Sequence, residues 1–111
     1  MASRYQLRVA ASGQHYFNLT AENNKIVLTS EMYNSKAAAH QGIEAGRTNG
    51  PLAERYDRRR SVDGQDYFVL LAANNEIIGQ SEMYRSSAAL ENGLQAVMRV
   101  AAIGAASAST P

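Results

Sequence analysis

The residues able to carry chemistry fall into three groups, and the first group occurs twice, as Ser30-Glu31-Met32-Tyr33 and Ser81-Glu82-Met83-Tyr84. A hydroxyl, a carboxylate and a phenol within four residues would line a small pocket in each copy, through Ser30, Glu31 and Tyr33 and through Ser81, Glu82 and Tyr84. A serine nucleophile needs a positioned base, and none recurs beside either copy, so covalent catalysis is not expected. The structural reading carries more weight. In it the serine ends a strand, the glutamate complements a helix amino terminus, and the tyrosine packs across the corner as a hydrophobic staple.

The second group is His15 and His40, the only histidines. His40 and Glu44 stand four apart and would share a helical face, but two ligands make an incomplete metal site, so neither a metal nor a cofactor is expected. The third group is Arg55, Arg58, Arg59 and Arg60 around Tyr56. A strand of this kind, with exposed tyrosines such as Tyr16 or Tyr67, would track the backbone of a single-stranded nucleic acid. Glu54, Asp57, Asp63 and Asp66 are interleaved with the arginines and dilute the field. The favoured reading is a solvated edge strand that uses charge to prevent sheet-to-sheet association. No glycine loop of the phosphate-cradling type is present.

Composition sets the frame for these groups. A chain of 111 residues with 45% hydrophobic and 19% charged residues has the make-up of one globular domain, able to bury somewhat over about 60% of its unfolded surface without staples. The net charge of +1 argues against a dedicated polyanion binder. The absence of cysteine removes thiol catalysis, disulfides and cysteine zinc sites. The first residues interleave charge with apolar side chains, and no window approaches a membrane span, so a cytoplasmic location without membrane contact is expected.

The chain aligns on itself without gaps at an offset of 51, pairing Tyr5 with Tyr56, Gly13 with Gly64, Tyr16-Phe17 with Tyr67-Phe68, Asn23-Asn24 with Asn74-Asn75, and Gly42 with Gly93. Two copies are too few for a solenoid. They predict a single pseudo-two-fold domain over residues 1–103, with repeat one at 3–50, repeat two at 54–103, and a disordered tail at 104–111. A monomer with this internal symmetry is expected.

Within a repeat, Tyr5, Leu7 and Val9 alternate with Arg4, Gln6 and Arg8 as a strand with one face to the core. A second strand follows at His15 to Ala21, then an Asn23-Asn24 two-residue hairpin loop, then a third strand at Lys25 to Thr29. Ser35 is a good helix N-cap. The helix it opens would present Ala38, Gly42 and Ala45 to the sheet and stop between Gly46 and Gly50, before Pro51. In the second repeat the first strand, Arg55 to Val62, is polar enough to be an edge, and the helix runs from Ser86 to about Ile103.

The run Tyr16-Phe17-x-Leu19-x-Ala21-x-Asn23-Asn24-x-Ile26, then Ser30-Glu31-Met32-Tyr33-x-Ser35 and Gly42-Ile43, resembles the repeat of the YegP-like family of small bacterial proteins, which have no assigned function. The second repeat matches through Tyr67-Phe68, Asn74-Asn75, Ser81-Glu82-Met83-Tyr84-x-Ser86 and Gly93-Leu94. The family usually has Asn-Gly where this chain has Asn-Asn, and lysines near the helix end where this one has Arg47 or Met98. The resemblance implies an α+β fold. In it, tandem β3α repeats form a single antiparallel sheet, with the C-terminal helices packed on one face and exchanged between repeats. Two similar units with no repeated acid-base pair offer surface rather than chemistry. A small non-catalytic binding or structural module, with an unidentified protein partner, is therefore expected ahead of a nucleic-acid binder using Arg55, Arg58 and Arg60.

Overall fold

In β1 (Arg4–Val9), Tyr5 and Leu7 are buried between the partly exposed Arg4, Gln6 and Arg8, but the alternation fails at Val9, which is 52% exposed as the strand leaves the core. The structure is a computed structural model that describes residues 3–108. A turn closed by Gly13, at φ 87°, leads into β2 (His15–Thr20), and β3 (Ile26–Ser30) follows. The connection between β2 and β3 is a three-residue loop, not the two-residue loop expected. Ala21 N donates to Lys25 O at 2.9 Å, Asn24 N donates to Ala21 O at 3.0 Å, and only Asn24 takes positive φ, at 68°. One left-handed residue after a tight turn is the geometry of a bulged hairpin, and the register shift between Leu19 and Thr20 sits beside it.

Helix α1 (Lys36–Asn49) starts where Ser35 Oγ accepts from Ala38 N at 3.0 Å, and α2 (Ser87–Val100) starts where Ser86 Oγ accepts from Ala89 N at 3.1 Å. Helix α1 ends at Asn49 with Gly50 as its C-cap, inside the stretch expected from Gly46 to Gly50. Its core face is Ala39, Ile43 and Gly46, while Ala38 and Ala45 lie half-buried at the side. Helix α2 is more apolar, burying Leu90, Leu94, Val97 and Val100, and Ile103 falls beyond its end, 70% exposed. No helix among the described residues is long and apolar enough to cross a membrane.

Repeat two supplies β4 (Tyr56–Arg60), β5 (Asp66–Leu71) and β6 (Ile77–Gln80). With β7 (Ala105–Ala108) after α2, the strands form one sheet in the order β4-β5-β6-β3-β2-β1-β7. The repeats join through β3 and β6, where Thr29 pairs with Gln80. Those two residues are equivalent under the repeat, so the pseudo-two-fold axis passes between them. As expected, β4 is an edge, and beyond Tyr56 its residues are exposed.

The far edge corrects the expectation of a disordered tail at 104–111. Residues Ala105–Ala108 form β7, parallel to β1, and residues 109–111 lie outside the described ones. Two anchors direct the chain there. Gly104 N donates to Val100 O at 2.9 Å, and Arg47 Nη2 donates to Gly104 O at 2.8 Å. The added strand satisfies the open backbone edge of β1, the least charged strand edge of the pair.

Both helices lie on one face of the sheet, over a core that includes Tyr5, Phe17, Leu28, Ile43, Phe68, Leu94 and Val97. Helix α1 touches β2 of its own repeat and β5 and β6 of the other; α2 touches β5 of its own and β3 of the other. The exchange is sealed by two equivalent hydrogen bonds. Tyr5 Oη donates to Ala101 O at 2.6 Å, and Tyr56 Oη donates to Gly50 O at 2.7 Å, so the first strand of each repeat caps the helix of the other.

Candidate functional site

The repeated corner divides its residues between two jobs. Ser30 and Ser81 are 6% and 4% exposed, and each hydroxyl is spent on the backbone. Ser30 Oγ accepts from Phe17 N at 2.9 Å and donates to Glu31 O at 2.8 Å, and Ser81 Oγ accepts from Phe68 N at 3.0 Å and donates to Glu82 O at 2.8 Å. Both serines hold the strand end where regular pairing stops.

Tyr33 is held by its backbone and its ring. Its N–H donates to His15 O and its carbonyl accepts from His15 N, both at 2.7 Å, and its ring stacks on Phe17 with centroids 6.4 Å apart. Tyr84 is held likewise by Asp66 and Phe68. Each phenol then lies across a helix glycine. A Cβ added at Gly42 would come within 2.6 Å of Tyr33 Cζ, and one at Gly93 within 2.5 Å of Tyr84 Cζ. These glycines therefore make room for a tyrosine, not for the sheet.

Glu31 and Glu82 do not cap the helices, whose amino termini are served by Ser35 and Ser86. They are exposed and line two clefts of 680 and 790 Å³. The first cleft has Glu31 and Tyr33 at one end and Ala38, Gly42 and Ala45 as its floor, and its far wall is the β5–β6 hairpin with Asn74, Glu76 and Ile77. The second has Glu82, Tyr84, Ala89, Gly93 and Ala96, closed by Asn23, Lys25 and Ile26 of the β2–β3 hairpin. Every one of these residues has its repeat equivalent in the other cleft. Each cleft is completed by the opposite repeat, which is why Glu76 and Lys25 escaped a reading by local motif. The Asn-Asn pair recurring in both repeats was the available signal.

Burial pushes the Tyr33 phenol above the usual tyrosine range, and the charges of Glu31 and Glu76 push it further the same way. Tyr84 is raised by burial and then by Glu82. Both phenols are neutral hydroxyls at physiological pH.

The arginine cluster is not brought together as a free cationic surface. Arg58 Nη2 donates to Glu91 Oε1 at 2.8 Å, Arg59 pairs with Asp57 at 2.9 Å, and Arg60 pairs with Asp66 at 3.2 Å. The Arg58 guanidinium holds the Glu91 carboxyl below the usual range. Arg55 donates to the buried Asn49 Oδ1 at 3.0 Å. His40 and Glu44 do not act together either, because Glu44 is taken by Arg47, whose guanidinium lies 5.5 Å from the Tyr5 ring centroid.

A family model described as a domain of unknown function, DUF1508, matches the chain twice, over residues 10–57 and 61–106. The chain belongs to the DUF1508 family. Its two DUF1508 segments begin 51 residues apart, the offset of the internal repeat. The UPF0339 protein YegP of Yersinia pestis is 43% identical over 95 residues, which cover 86% of this chain and 85% of that protein. A UPF0339 protein of Mannheimia succiniciproducens is 45% identical over 98 residues, covering 88% of this chain and 87% of its own. Two solution NMR structures share the DUF1508 architecture seen here. The UPF0339 protein of Shewanella oneidensis superposes with a TM-score of 0.89 at 39% identity, covering 97% of this chain and 92% of that one. The protein of unknown function yegP from E. coli gives 0.91 at 37% identity, covering 98% and 94%.

Proposed function

We propose that this DUF1508 chain is a non-catalytic, two-site binding module that uses the clefts between each helix and the opposite hairpin. One observation carries the reading: two clefts of equivalent residues, each exposing a carboxylate beside a neutral phenol over a floor of alanine and glycine. The alanines beside each tyrosine ring leave room for a ligand near the helix, and the few polar groups of the lining would orient it. The corner serines, the residues best suited to nucleophilic attack, are buried and bonded to backbone. Fold membership adds no assignment of its own.

The nucleic-acid reading draws little support, because the guanidiniums of Arg58, Arg59 and Arg60 already face carboxylates. The test is an amide NMR titration of the full chain against small cationic, anionic and neutral fragments. Shifts centred on Gly42 or Gly93 are expected. Fragments that bind elsewhere while both clefts stay silent would overturn the proposal.

A further inference from the structure

The two clefts differ in charge at one position of the hairpin wall. Glu76 in the β5–β6 hairpin and Lys25 in the β2–β3 hairpin are repeat equivalents, so one cleft carries Glu31 and Glu76 while the other carries Glu82 and Lys25. Among the described residues, the ion pairs engage neither Glu31 nor Glu76. Among the described residues the only side-chain donor to Glu76 is the neutral Asn74 Nδ2, at 3.4 Å. Two uncompensated carboxylates therefore share one concave site.

Both carboxylates line the cleft with Tyr33 and raise its phenol, which as a neutral hydroxyl can itself accept a hydrogen bond. Below it the surface is apolar, with Ala38, Gly42 and Ala45 on the helix side and Ile77 on the hairpin side. An ammonium has three donors and no acceptor, and its aliphatic stem covers apolar surface while the charge stays at the rim. Three acceptors on the walls of one cleft with an apolar floor match that shape. In the sister cleft Lys25 places a like charge where the ammonium would sit, and like charges in a site reject a partner as effectively as opposite charges select one.

We propose that the cleft between α1 and the β5–β6 hairpin binds a primary ammonium carried on an aliphatic stem, and that the sister cleft does not. This rests on reading the clefts as binding sites. The ammonium could belong to a free alkylamine or to a lysine side chain, and the two sources are separable.

The test titrates the full chain, followed by amide NMR, with pentylammonium and with an end-blocked lysine, using pentanol and pentanoate as controls. Both cations are expected to shift Gly42 and Ala45 and to leave Gly93 and Ala96 in place, with an affinity that falls as salt rises. The stronger of the two cations identifies the source. Glu76→Lys should weaken cation binding at Gly42 by about fivefold or more. Lys25→Glu should create cation binding at Gly93. Both positions are exposed hairpin residues, so unchanged spectra of the free variants will show that the fold is intact. Equal responses in the two clefts, equal responses to pentylammonium and pentanol, or binding that survives Glu76→Lys would overturn the ammonium assignment while leaving the clefts as sites. Silence of both clefts toward all four compounds would overturn both readings together.

Discussion

Gly50 and Ala101 hold the same place in the two repeats, at the C-caps of α1 and α2, and they touch: a Cβ built on Gly50 would overlap that of Ala101. A pseudo-two-fold axis brings equivalent residues face to face, and two methyl groups do not fit where the helices end against each other. The same conflict arises at Leu28 and Gly79, also equivalents. A Cβ on Gly79 would stand 3.0 Å from Leu28 Cγ and 2.9 Å from Thr29 O. At both contacts near the axis one repeat gives up its side chain, so the symmetry of the fold requires asymmetry in the sequence.

Gly50→Ala should therefore destabilise the chain by about 1–3 kcal/mol, the range for overpacking a filled site. Ala101→Gly alone should cost about 1 kcal/mol through backbone freedom. Together the two should cost less than their sum, because removing the Ala101 methyl opens the space. The Gly46 carbonyl, 2.7 Å from the new Cβ, keeps the rescue partial. Urea unfolding of the three variants measures the coupling, and strict additivity would contradict the contact.

At the corner, Tyr33→Ala should lower stability by about 2–3 kcal/mol, near the lower end for truncating an aromatic because the ring is only partly buried. Gly42→Ala should be destabilising in the native chain and much less so when Tyr33 is already alanine. The backbone pairing of Tyr33 with His15 keeps the ring from stepping aside. An unchanged denaturation midpoint for Tyr33→Ala would contradict the staple.

Alkaline pH should weaken the exchange of helices. Burial pushes the Tyr5 and Tyr56 phenols above the usual tyrosine range, and both donate to carbonyls at helix ends. Unfolded tyrosines ionise near about 10, so the stability these groups contribute is fully present below that pH and declines as pH rises from there toward their folded values. Tyr5→Phe should lower stability by about 1 kcal/mol at neutral pH and flatten the decline above pH 10. Urea midpoints across that range, for the native chain and the variant, provide the check. An equal slope in both would place the titration elsewhere.

The arginines of β4 should matter little. Arg58→Gln and Arg60→Gln each remove an ion pair that is at least partly solvent-exposed, which costs under about 1 kcal/mol. Retention of single-stranded oligonucleotide should be weak in the native chain and unchanged in the double variant. A salt-sensitive affinity that the double variant abolishes would restore the nucleic-acid reading.

The features legible in the sequence were those set by near neighbours along the chain. Tyr5 and Leu7 alternate with polar residues, Ser35 and Ser86 cap the helices they precede, and an ungapped offset of 51 announces two units. The charge of β4 likewise marked it as an edge, because an exposed strand needs such residues wherever the rest of the chain lies. The features that stayed hidden depend on residues far apart in sequence. Gly42 makes room for a tyrosine nine positions earlier, Glu31 and Glu76 come to line one cleft only after the repeats pack, and Arg58 is paired with Glu91 of α2. Residues 105–108, too small and polar to read as a strand by composition, pair because β1 offers an unfilled edge and Gly104 is anchored beside it. Local propensity acts over a few residues, whereas cleft charge, neutralisation and edge pairing are set by which surfaces the two-fold brings together.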